Sequence, residues 1–89
     1  MTYYVYMVKC RTGHLYTGYT HNMERRLAEH NNGTASKFTR SRLPVRLVYQ
    51  ERFKNRSQAI RREMAIKKMS RKEKNEICGR MSNPRKPGG

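Results

Sequence analysis

Arg26 and His30 stand four residues apart in a run, Asn22 to His30, that reads as an amphipathic helix. At about 100° per residue they fall on one side, beside an apolar stripe of Met23 and Leu27, while Arg25 falls opposite, toward solvent. Among many arginines, Arg26 is thus the one aimed inward, back toward the strand-like run that carries Tyr16 and Gly18. A later helix places Glu63 inside the apolar arc formed by Ala59, Ile60, Met64 and Ile66. A carboxylate in a core-facing stripe is costly unless a cation or a metal satisfies it. Glu24, Glu29, Glu51 and Glu73 have plainer places: the outer side of the first helix, a strand end and a helix cap. A fixed cation, a histidine, two tyrosines and one inward carboxylate make the outline of a site. Each also has a plainer explanation. Glu63 can pair with Lys67 one turn on, Arg26 can lay its stem on the core with its head in water, Tyr6 and Tyr16 can be strand packing, and His30 can sit at a helix end helped by the dipole.

The 89 residues make one small domain with a modest core, since a chain this short buries only about 60% of its unfolded surface. Twenty-one basic residues against six glutamates, with no aspartate, give a formal net charge of +15, which calls for a polyanionic partner. Nucleic acid fits better than an anionic membrane, because no stretch is apolar enough to span a bilayer and no basic helix has a wide apolar back. Cys10 and Cys78 lack ligand-like spacing, and no secretory leader is recognisable, so reduced thiols in a cytoplasmic protein are expected. Six scattered glutamates do not suit a two-metal centre, which gathers several carboxylates.

The elements follow from local signals. Thr2 to Cys10 is a tyrosine- and valine-rich strand, Arg11-Thr12-Gly13 a three-residue hairpin loop, and His14 to Tyr19 the returning strand. That loop sets Cys10 opposite His14, Val8 opposite Tyr16 and Tyr6 opposite Gly18, so Tyr6 and Tyr16 share a face and Gly18 leaves space beside Tyr6. Asn22 caps the first helix and Asn32-Gly33 ends it. Gly33 to Pro44 reads as a basic loop in which Lys37, Arg40 and Arg42 surround Phe38. Arg46 to Glu51 is a third strand, Ser57 begins a helix ending near Met69, and Ser70-Arg71-Lys72-Glu73 is a capping box starting a last short helix that stops at Gly79. The order β-β-α-β-α-α predicts an α/β (α+β) fold: a small three-stranded, mainly antiparallel sheet flanked by helices. The domain is expected over residues 1–80, with a basic disordered tail at 81–89.

Tyr4-Val5-Tyr6, Tyr16-Thr17-Gly18, Arg26 and the later Glu63 together resemble the GIY-YIG nuclease superfamily over residues 2 to 77. The segments Tyr16 to Thr20, His30-Asn31 and Lys37-Phe38-Thr39, with Pro44 and Glu51, are most similar to its small stand-alone bacterial members and to the nuclease domain of the eukaryotic structure-specific resolvase subunit. The resemblance implies an endonuclease-like phosphodiesterase that hydrolyses DNA with a single Mg²⁺ or Mn²⁺ ion. By position, Tyr16 would be the general base or hold the nucleophilic water, Tyr6 would orient it or bind the phosphate, and Arg26 would stabilise the scissile phosphate. His30 would assist proton transfer, and Glu63 would ligate the metal. Lys37, Thr39, Arg40 and Arg42 would contact the nucleic acid. A monomer is expected, with room for a protein partner that supplies specificity. The alternative is a catalytically weak DNA- or RNA-binding module on the same fold. Retention of both Arg26 and Glu63 favours the enzyme.

Overall fold

The structure, a computed structural model, describes residues 1–82, with side chains described through residue 78. Strand β1 (Tyr3–Cys10) is central in a three-stranded antiparallel sheet of order β2-β1-β3, flanked by β2 (Leu15–Thr20) and β3 (Val45–Phe53). Helices α1 (Met23–Asn31), α2 (Lys37–Arg40), α3 (Arg56–Lys67) and α4 (Arg71–Ser82) complete the chain. The expected α+β architecture and element order are present, with the addition of α2.

The β1–β2 register is the one the three-residue loop dictates: Val8 pairs with Tyr16 and Tyr6 with Gly18. The turn is closed by Gly13 N–H donating to the Cys10 carbonyl and Cys10 N–H to that of His14, both at 2.8 Å. Gly13 adopts φ 91°, a left-handed conformation a side chain would strain. The period-2 alternation of β1 then divides the molecule. Val5 and Met7 face α3 and pack with Tyr49, Ala59 and Ile66. Tyr6, Val8 and Cys10 face the other way, against Met23 and Leu27 of α1.

Asn22 caps α1, its side chain accepting from Arg25 N–H, and Gly33 follows the helix at φ 80°. Beyond it, the segment expected to be loop contains α2. Ser36 caps that single turn by accepting from Phe38 N–H, and Thr39 on its inner side is fully buried. One buried threonine and a serine cap carry too little apolar signal for a helix to show in the sequence pattern. Helix α3 starts earlier than Ser57 suggests, because Asn55 accepts from Gln58 N–H and takes the cap. Its inward stripe is Ala59, Glu63 and Ile66, spaced i, i+4, i+7; Met64, expected within the arc, is half exposed. The capping box at Ser70 forms as read, with Ser70 and Glu73 bonding each other's backbone N–H. Helix α4 continues past Gly79 to Ser82, since an interior glycine costs only about 1 kcal/mol relative to alanine. The rest of the expected tail, 83–89, lies outside the described residues.

Ile66 is completely buried at the centre of the α3-facing core. Ile66→Ala should therefore lower unfolding free energy by about 3 kcal/mol, read as a shift in the urea midpoint with the slope unchanged.

Candidate active site

The α1-facing side of the sheet buries a line of three polar side chains. Tyr6 Oη lies 2.9 Å from His30 Nε2, and His30 Nδ1 lies 2.9 Å from Thr39 Oγ1. The Thr39 hydroxyl donates to the Ser36 carbonyl at 3.4 Å, so its oxygen is free to accept. That fixes the directions. His30 Nδ1–H donates to Thr39, and His30 Nε2 accepts the phenolic proton of Tyr6. Tyr6 and His30 are at most 2% exposed. Burial, helped by Arg26 and partly opposed by Glu29, lowers the His30 pKa below its ordinary value, so the imidazole is neutral at neutral pH. Burial pushes the Tyr6 phenol well above the ordinary tyrosine value; Tyr16, Glu63 and Glu29 add to this and Arg26 opposes it. Tyr6 thus holds its proton and donates it in a hydrogen bond to His30.

The neighbours converge on this line. The Tyr16 ring packs edge-on against His30, with centroids 5.2 Å apart, and stacks on Phe38 of α2 at 6.1 Å. Gly18 explains how Tyr6 reaches so far: a Cβ there would lie 2.7 Å from Tyr6 Oη and 3.0 Å from Cζ, so the ring lies across the bare backbone of β2. Arg26 is half-buried; its Nε is buried without a hydrogen-bond partner among the described residues, and Glu29 Oε1 stands off at 3.6 Å. A buried guanidinium N–H left unbonded is a donor awaiting an acceptor. Glu63 on α3 acts on Tyr6 through its charge; its side chain is 15% exposed and its carboxylate lies 3.2 Å from Lys67 Nζ. Both sequence readings of Glu63 therefore hold at once: it is inward-facing, and it pairs with the lysine one turn on.

The expected phosphate contacts divide. Lys37 and Arg40 are exposed. Arg42 lies over the Phe38 ring at 4.1 Å and donates to the Phe38 carbonyl at 2.7 Å, holding α2 in shape. Thr39, expected at the phosphate surface, is instead fully buried and positions His30. Two residues join the site beyond those read from sequence. Glu29, assigned to the outer side of α1, pairs with both Arg25 and Arg26 beside Tyr6. Asn31 clamps α1 to the start of β3, exchanging hydrogen bonds with Val45 N–H and C=O at 2.8 and 3.1 Å. Its adjacency to His30 was the available signal.

Among the described residues, no group of three His, Cys, Asp or Glu side chains gathers to cage a metal. A Mg²⁺-like ion needs no such cage, since it keeps several waters and is commonly held by one or two carboxylates plus a phosphate oxygen. Glu63, turned inward on α3 and near enough to help raise the Tyr6 pKa, is the carboxylate that fits that role.

Residues 2–76 match the family model of the GIY-YIG catalytic domain. The chain is 56% identical over 72 residues to a UPF0213 protein of Staphylococcus haemolyticus, covering 81% of this chain and 88% of that protein. To a UPF0213 protein of Clostridium perfringens it is 48% identical over 79 residues, 89% of this chain and 85% of that one. The solution NMR structure of a UPF0213 protein from Bacillus halodurans superposes with a TM-score of 0.62 at 36% identity, covering 99% of this chain and 98% of its own.

Two outcomes follow from this geometry. Gly18→Ala forces Tyr6 or β2 to move and should cost about 1–3 kcal/mol in urea unfolding while the far-UV circular dichroism stays native. The lowered His30 pKa means that the unfolded chain takes up protons more readily than the folded one. The stability His30 contributes is complete above its unfolded value near 6.5 and is lost as pH falls through the lower folded value. Thermal midpoints should therefore fall below about pH 6.5, and the fall should be shallower in His30→Gln.

Proposed function

We propose that this chain, which belongs to the GIY-YIG catalytic-domain family and to the UPF0213 proteins within it, is a metal-dependent endonuclease that hydrolyses DNA phosphodiester bonds. The observation that carries this reading is the half-buried Arg26 guanidinium, met by Glu29 only at 3.6 Å, beside a hydrogen-bonded Tyr6–His30 pair. Arg26 takes a non-bridging oxygen of the scissile phosphate, where its charge gains in value as the transition state accumulates negative charge. Tyr16, at the mouth of the pair, holds the attacking water. As the water oxygen bonds to phosphorus, the bond from phosphorus to the 3′ oxygen breaks, and the departing 3′ oxygen takes a proton from solvent. The water's proton passes to Tyr6 Oη while the Tyr6 proton moves to His30 Nε2. The resulting imidazolium keeps its Nδ1–H on Thr39. Because Tyr6 is a phenol too weakly acidic to ionise beforehand, both protons move with the attack. Glu63 would hold a single Mg²⁺ or Mn²⁺ ion, which would supply Lewis-acid stabilisation of the charge that develops during attack. The products expected from the family resemblance are 3′-hydroxyl and 5′-phosphate ends. The net charge of +15 supplies salt-dependent affinity for the substrate backbone.

One observation supports the second reading, a binding module with weak turnover: the Glu63 carboxylate is held by the chain's own Lys67. Labelled single-stranded, duplex and branched DNA, incubated with Mg²⁺, Mn²⁺ or EDTA, separates the two. The nuclease reading expects metal-dependent cutting that falls by about a hundredfold or more in Glu63→Gln and in Tyr6→Phe, with DNA binding retained. The acid limb of its pH profile should lie below 6.5, where His30 takes a proton and stops accepting from Tyr6. Binding without cutting under every metal condition would establish the module.

A further inference from the structure

Beside Arg26 a cleft of about 510 Å³ opens between α1 and α3. Its walls are Tyr3, Tyr19, His21, Arg25, Arg26 and Arg56. The register that pairs Tyr4 with Thr20 and Val5 with Tyr19 continues to set Tyr3 against His21, and their rings meet edge to face at 6.5 Å. Arg56, at the first turn of α3, donates to Tyr19 Oη at 3.2 Å and lies over that ring with its guanidinium carbon 6.0 Å from the centroid. Tyr3 and Tyr19 rest partly on the α3-facing core, which holds the inner edges of their rings in place. Glu29 is the one acidic residue of the lining, and both its oxygens face arginines of α1.

Aromatic faces interleaved with planar guanidinium groups are what bases require of a protein once they leave the helical stack. A surface that met only the sugar-phosphate backbone would need the cations and not the rings. The volume falls within the range typical of small-molecule sites, roughly 300–1,000 Å³. Arg26 belongs both to this cleft and to the Tyr6 centre, so a strand whose phosphate sits on Arg26 must run its neighbouring nucleotide past the cleft.

We propose that this cleft is a nucleobase subsite, taking one unstacked base next to the scissile phosphate between the Tyr3–His21 and Tyr19–Arg56 walls. The assignment rests on the reading of Arg26 as the phosphate ligand. The chemistry recognised is an unpaired base, whether in a single strand or extruded from a duplex.

The test is fluorescence anisotropy of the full chain in EDTA, which blocks cutting, with labelled short oligothymidylate as probe. Its partner probe is a tetrahydrofuran strand of equal length, which keeps every phosphate and has no bases. Wild type should bind oligothymidylate about tenfold tighter than the baseless strand. Arg56→Ala, at an exposed position, and Tyr19→Ala should each shrink that ratio several-fold. Arg61→Ala, an exposed charge on the same helix but outside the cleft, should weaken both probes together and leave the ratio unchanged. A perfect duplex should bind no better than the baseless strand. Recovery of tight binding by a one-base bulge would assign the cleft to extruded bases; binding of the single strand alone would assign it to single strands. A wild-type ratio near one, a ratio that Arg56→Ala leaves intact, or a perfect duplex that matches oligothymidylate would overturn the proposal. Base-dependent binding with no cleavage under any metal would fail the nuclease reading and leave the subsite standing. Cleavage with a ratio near one would do the reverse.

Discussion

Tyr6, His30 and Thr39 bury three polar side chains in a small domain, and this is tolerable only because each donor meets an acceptor in a fixed direction. Much of the fold answers to that requirement. The Ser36 cap and the single turn of α2 exist where they do because Thr39 must be inside, its hydroxyl spent on the Ser36 carbonyl so that its oxygen faces His30. Helix α1 must end at a set height for His30 to reach both partners, and Asn31 secures that end to β3 through two backbone hydrogen bonds. Gly18 must lack a side chain for Tyr6 to lie across β2. Change any one and a buried group loses its partner, at about 1–3 kcal/mol each.

Electrostatics shapes the same place. A chain with +15 formal charge would be expected to surround any anion site with cations, yet the buried Tyr6 and His30 are neutral. Burial holds His30 uncharged and Tyr6 protonated, and Arg26 reinforces the first while tempering the second. Three carboxylates each meet an arginine or lysine: Glu29 with Arg25 and Arg26, Glu63 with Lys67, and Glu51 with Arg62 on β3 and α3. Arg26 is only partly satisfied. Glu29 approaches it as an ion pair without closing a hydrogen bond, so its attraction for an outside anion survives.

What the sequence made legible was whatever short-range geometry determines. A three-residue loop with glycine fixes the register of β1 and β2, and with it the pairing of Tyr6 with Gly18. Asn22, Ser70 and the helical period fix α1 and the start of α4. Less legible were positions decided by tertiary contact. Thr39 carries no apolar signature and lies among basic residues, so only its partner His30 reveals that it is buried. Glu29 is assigned to solvent by periodicity, but its long side chain turns back along α1 to two arginines. Met64 and Ile60 looked equivalent to Ile66, and only the path of α3 over the sheet selects the Ala59–Glu63–Ile66 stripe.

The place where α1 and α3 come together follows from the sheet itself. The two helices cover opposite faces of a sheet only three strands wide, so their side chains can meet only around an edge. That edge is β2, the outer strand. From one face α1 sends Arg26, from the other α3 sends Arg56, and Tyr6 crosses from the central strand over Gly18. An outer strand is ordinarily a liability, an unpaired ladder open to other chains. Here the same exposure brings groups drawn from both layers to one edge, which neither face of so small a sheet could present alone.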